Sequence, residues 1–193
     1  MCAVFVERNL QFEFDNAWTV EKYDDTREYR SIEQQTEAKG VDFIALAPSG
    51  HNRVILFLVE AKDFRGYRIG NTERVRNGEL VLEVAQKVRD TVAGVIGAQR
   101  NSENQARWSL FTRSMRRGRD EIRVVLWLEQ DNEVAQTSPL HQRFRGDRGR
   151  GELGVLTQQL KKRSKWLTGR VMAVDRARGM EGVTVSNVAP SHA

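Results

Sequence analysis

Six consecutive apolar residues, Val54-Ile55-Leu56-Phe57-Leu58-Val59, lead directly into Glu60-Ala61-Lys62. A short run rich in branched side chains fits a strand buried on both faces, so it demands a layer of structure above and below. Ahead of it, Val41-Asp42-Phe43-Ile44-Ala45-Leu46-Ala47 is a second, mostly apolar run with one acid near its start. Pro48-Ser49-Gly50-His51-Asn52 between the two is turn chemistry. Residues 41–47 and 54–65 are therefore expected to form a β-hairpin.

A hairpin pairs residues symmetrically about its turn. Folding the chain about residues 50 to 51 sets Asp42 opposite about residues 58 to 60. Glu60 and Lys62, two apart on one strand, share a face, and Ala61 points the other way. Two carboxylates and one ammonium thus converge at the open end of an apolar hairpin. Paired acids suit a hard cation such as Mg²⁺. A cation there can clamp a phosphate oxygen and acidify an attacking water. A neighbouring lysine can position that water and stabilise developing charge. The plain alternative is a salt bridge of Asp42 or Glu60 with Lys62 that does no chemistry.

Asp42 followed by Glu60-Ala61-Lys62 at the end of an apolar strand resembles the PD-(D/E)xK nuclease superfamily. The resemblance covers about residues 20 to 130. Val41 stands where the family's motif has proline. It implies an α/β fold of the restriction-endonuclease-like type: an αβββαβ core, with a mixed central sheet flanked by helices. It also implies hydrolysis of phosphodiester bonds in nucleic acid, DNA ahead of RNA, with Mg²⁺ or in its place Mn²⁺. Asp42 and Glu60 would hold metal together with the Ala61 carbonyl, and Lys62 would position or activate water. The family often adds an acid from its first helix. Asp24, Asp25, Glu28, Glu33 and Glu37 are the candidates, with Asp24 and Asp25 favoured. Gln86 or Lys87, on the helix after the motif, matches by position a residue that the family directs at the site or at DNA. Two-fold dimers are common in this superfamily, so a homodimer is among the expectations. A catalytically silent module of the same fold, binding nucleic acid or a protein, is the rival reading.

The chain has 193 residues and reads as one domain: a core over about 9–130 and a basic C-terminal αβ extension over about 143–193. Its net charge of +5 is unevenly spread. Residues 1–63 hold 7 Lys/Arg against 12 Asp/Glu, and the remainder holds 24 against 14. An acidic pocket region joined to a basic remainder suits a metal site beside a polyanion-binding surface. Ordinary solvated charge would look the same. The single cysteine, Cys2, excludes an internal disulfide and a zinc cluster, and a cytoplasmic location is expected. No apolar run is long enough for a membrane span. There is no phosphate-binding P-loop, dinucleotide fingerprint or serine-centred nucleophile motif. His51, His141 and His192 lie far apart.

Taken in order, residues 9–20 are expected to form a strand pair or one bent strand. A helix is expected over about 26–38, stopped by Gly40. Residues 66–78, with three glycines and two asparagines, are expected as a loop. Helices are expected over about 79–100, where Val81, Val84, Val88, Val92 and Val95 repeat at helical spacing, and over 103–117. Residues 122–129 read as a buried strand, parallel to its neighbour. Residues 130–151 read as a long polar connection, then come a helix over 152–167 and a closing strand over 170–175. Arg65, Arg68, Lys87, Arg143, Arg145, Lys161 and Lys162 are the candidates for gripping nucleic acid, with Phe144 as a stacking residue.

Overall fold

A computed structural model describes residues 2–50, 52–66, 68–130 and 139–188, with side chains except at 68–70, 72 and 139–150. His51, and the side chains of Arg68, Arg143, Phe144 and Arg145, therefore lie outside the described residues.

The hairpin is present. Strands β4 (Phe43–Pro48) and β5 (Val54–Asp63) pair antiparallel, with Phe43 opposite Val59. One step outward, that register sets Asp42 against Glu60. Around it lies a five-stranded mixed sheet. Strand β3 (Thr19–Lys22) pairs antiparallel with β4. Strand β6 (Glu121–Glu129) runs parallel to β5, and β7 (Val171–Val174) parallel to β6. Strand β6 is parallel because helices intervene, as a crossover requires.

The two faces of β5 are covered differently. Leu56 and Leu58 enter a core with residues from every described helix: α1 (Arg27–Thr36), α2 (Arg68–Arg76), α3 (Glu79–Asn101), α4 (Gln105–Arg116) and α5 (Pro139–Ser164). Phe57, Val59 and Ala61 face a second, aromatic core. That core is roofed by an antiparallel sheet ordered β1 (Ala3–Glu7), β2 (Leu10–Phe14), β8 (Val183–Asn187). Phe12 and Phe14 pack on Phe43 with ring centroids 5.0 and 5.6 Å apart. The apolar run of β5 is thus buried on both faces, as its composition demands.

Several expectations are corrected. Residues 10–14 and 19–22 are strands of different sheets rather than one bent strand or a pair. The first strand of the main sheet, β3, precedes α1, whereas the αβββαβ order sets the helix ahead of three strands. Helix α1 ends with Glu37 in the left-handed region, at φ 55°. Gly40 serves another purpose: a Cβ there would meet the Tyr29 ring at 2.8 Å. Residues 68–76 form α2 where a loop was expected, held by buried Val75 and an Arg74–Glu83 ion pair. Helix α5 begins at Pro139, inside the expected connection, and ends at Ser164. The C-terminal region is woven into both sheets through β7 and β8.

Candidate active site

Glu60 lies on the helical face of β5, one position short of Ala61, which packs into the aromatic core. Its carboxylate is fully buried; Oε1 contacts Lys62 Nζ at 2.8 Å and Lys87 Nζ at 2.7 Å. Among the described residues, neither oxygen takes a hydrogen bond of good geometry, and Oε2 has no ion-pair contact either. Lys87 reaches from α3 and also approaches Asp42 Oδ1 at 3.9 Å. Lys62 is held from its other side by Glu83 of α3, at 2.9 Å, and Arg74 of α2 pairs with Glu83. The motif residues Asp42, Glu60 and Lys62 therefore share one network with two cations and one acid from the helical layer.

Backbone contacts fix Asp42. Val41 N–H donates to Thr91 Oγ1 of α3 at 3.0 Å. Tyr23 N–H donates to the Asp42 carbonyl at 2.8 Å. Ala61 N–H donates to Asp42 Oδ2 at 2.6 Å, which ties the two strands of the hairpin at its open end. The Tyr23 bond also sets a one-turn 3₁₀ segment, Tyr23–Asp25, beside Asp42. Oxygens of Glu7, Asp24 and Asp42 consequently lie within 4.8 Å of one another. Lys22 Nζ sits among their neighbours, 3.1 Å from Glu7, 3.5 Å from Asp24 and 3.1 Å from Asp25.

This arrangement leaves Asp42 and Asp24 reluctant to ionise. Burial pushes the Asp42 carboxyl up to about 8, helped by the charges of Glu60 and Glu7 and opposed by Lys87. Burial likewise raises Asp24 to about 6, with Glu7 and Asp25 adding to it and Lys22 opposing. Burial works against charge on Lys62, but Glu60 and Glu83 outweigh it and keep the ammonium protonated. Glu83 titrates below the usual carboxylate range: burial opposes this, and Lys62 and Arg74 overcome it.

Among the favoured further acids, the fold brings Asp24 to Asp42. Asp25 turns to Lys22 and Arg30. Glu28 accepts from Ser102 and the Trp108 indole, and Glu33 from the Tyr29 hydroxyl. Glu37 caps α1. Gln86 is half-buried beside Lys87. Lys87 is aimed at the carboxylates, and Arg65 forks onto Asp63 with contacts of 2.7 Å from Nε and from Nη2. Lys161 and Lys162 are exposed near the end of α5. Sequence reasoning missed Glu7, Lys22 and Glu83. Helical spacing was the available signal for Glu83, since it lies four before Lys87 on α3. Nothing local marks Glu7, which arrives through the β1–β2 hairpin.

The carboxylates of Glu7, Asp24 and Asp42 form an all-oxygen group that could hold a metal ion. Among the described residues, Asp24 Oδ1 takes no hydrogen bond, and Lys22 Nζ lies 3.5 Å from it. No family model matches the chain, and no solved structure matches it. A curated relative is a cysteine–tRNA ligase of Neisseria meningitidis, 28% identical over 152 residues, which cover 64% of this chain and 20% of the relative. The chain thus spans about a fifth of that protein's length. Among the described residues no helix is long and apolar enough to cross a membrane.

Proposed function

We propose that this protein is a Mg²⁺-dependent nuclease that hydrolyses phosphodiester bonds, with DNA as the first substrate to test. The observation that carries the reading is the fully buried Glu60, with one oxygen unpartnered, set against Asp42 and Lys62 at the open end of one hairpin. A buried carboxylate without a full set of partners costs stability, so its retention favours a ligand. Asp42, Glu60 and the Ala61 carbonyl would hold the cation, with Asp24 as the further acid. When bound, Mg²⁺ would polarise the phosphate and supply a more acidic water. The protein's own groups do the rest. Lys62, held protonated between Glu60 and Glu83, stabilises charge building on the phosphate and orients the attacking water. Lys87 keeps Asp42 and Glu60 at a fixed spacing. Basic residues outside the pocket hold the phosphate backbone.

The tRNA in the relative's name brings RNA into the assay beside DNA. A second reading, a silent module that binds nucleic acid, is favoured by one observation. Lys62 and Lys87 already offset the charge of Glu60 as ion pairs, at 2.8 and 2.7 Å from Oε1. Cleavage of labelled DNA and RNA in Mg²⁺, Mn²⁺ or EDTA separates the two. The nuclease reading expects metal-dependent cutting that falls at least about a hundredfold in Lys62→Ala. Binding without cutting under every condition would transfer the conclusion to the silent module.

A further inference from the structure

The four tryptophans are not treated alike. Trp108 and Trp127 are buried and Trp18 stacks on Phe57 at 4.8 Å, but Trp166 is 56% exposed. It sits in the turn that closes α5, where Leu167 N–H and Thr168 N–H both donate to the Ser164 carbonyl at 2.9 Å. Ser164 and Leu160 point into the protein, which leaves Lys161, Lys162, Arg163, Lys165 and Trp166 outward. Lys162 lies in the last turn of α5, just ahead of the turn that carries Trp166. The Lys161 stem lies against the same turn, its Cε 3.8 Å from where a Gly169 Cβ would be. Arg170 follows, 74% exposed and 3.8 Å from Glu121. No acid occurs between Glu152 and Asp175.

The negative end of the helix dipole is reason enough for lysines in the last turn of α5. It gives no reason for an indole in water. A large aromatic among five cations is the composition that grips unpaired nucleic acid: the face stacks on a base and the cations meet the backbone. We propose that the α5 turn, centred on Trp166 with Lys161, Lys162, Lys165 and Arg170, is a stacking platform for single-stranded nucleic acid. It rests on the nucleic-acid half of the proposed function and adds a second contact remote from the pocket. Thr168 Oγ1 donates to the Ile122 carbonyl at 2.7 Å, and Ile122 is level with Leu56, four residues before Glu60. That offset is about 13 Å along the strands, to which the separation across the sheet from β5 adds.

The test is binding in EDTA, where no metal-dependent cutting occurs. A labelled oligothymidylate, a labelled duplex and heparin are titrated against the full chain, its Trp166→Ala and Trp166→Phe variants, and Lys161→Ala/Lys162→Ala. Trp166→Ala should weaken oligothymidylate binding about tenfold and leave duplex and heparin binding unchanged. Phe should restore most of the loss. The lysine variant should weaken all three ligands and flatten their salt dependence. Unchanged oligothymidylate affinity in Trp166→Ala overturns the proposal, as does an equal loss on duplex or heparin. Binding that depends on Trp166, in a protein that never cuts, would leave the platform standing and remove the nuclease. Cutting without such dependence would remove the platform alone.

Discussion

A carboxyl group as buried as that of Asp42 is unfavourable in its charged form unless a cation accompanies it. Its folded value of about 8 lies above the reference of 3.8, so the protonated group favours folding. That contribution is complete below about pH 4 and is lost as pH rises through about 8. Metal-free protein should therefore lose stability over this interval. Asp42→Asn keeps an oxygen for the Ala61 N–H and removes the charge. In EDTA at pH 8 to 9 the variant should be more stable than the native protein by at least about 1 kcal/mol, and about equal to it near pH 4. Added Mg²⁺ should raise the melting temperature of the native protein and leave the variant unmoved. Thermal melts across pH, with EDTA or Mg²⁺, check both statements. A native protein that gains nothing from Mg²⁺ would remove Asp42 as a ligand. Asp42, Glu60 and Lys62 were legible because hairpin symmetry and strand alternation are local rules. Glu7 and Lys22 were not, because they meet Asp24 and Asp42 only through tertiary packing.

Elements with strong internal periodicity were readable, and elements defined by a partner were not. Helix α3 announces itself through valines at helical spacing. Helix α2 has few apolar residues and neighbouring glycines, and its order comes from Val75 and from Arg74 on Glu83. Strands β1 and β8 are short, β1 turns Val4 and Val6 outward, and their identity depends on β2 lying between them. Helix–hairpin docking also carries a requirement that no pattern displays. A Cβ on Gly94, mid-α3, would meet the Tyr23 hydroxyl at 2.2 Å. Tyr23 anchors the turn that carries Asp24, so this close approach sets how α3 sits against the site. Gly94→Ala should destabilise by about 1–3 kcal/mol despite its better helix propensity. Tyr23→Phe removes the hydroxyl and leaves the next atoms at 3.3 and 3.5 Å. In the Gly94→Ala background it should recover a large part of the loss. Urea midpoints at constant slope measure this cycle. Additive losses in the double variant would show that Tyr23 does not set the helix approach.

At the scale of the molecule, strands from early and late in the chain, β2 and β8, pair in one sheet. The basic region that composition sets apart as an extension supplies α5 to the helical core, β7 to the main sheet and β8 to the roof. Strand β8 covers β2 from Leu10 opposite Asn187 to Phe14 opposite Val183, and Val183 and Val185 pack on the aromatic core. Asn187 Oδ1 also accepts from Arg65 at 2.6 Å and from Arg176 at 2.9 Å, beside the strand ends that follow Lys62. If the C-terminal region were an independent appendage, removing its last strand would leave the hairpin and its pocket as stable as before. The weave requires the opposite. Deleting residues from Gly182 onward strips a whole ladder from β2 and opens Phe12 and Phe14 to water. The loss should be at least about 3 kcal/mol. Amide exchange should then quicken first in β1 and β2, with β5 following as Phe57 and Val59 lose their roof. Metal response would fall with it, since Glu7 reaches Asp24 and Asp42 only from the roof sheet. A truncated chain with the full protein's urea midpoint and protected β2 amides would mean that the two sheets are energetically separate.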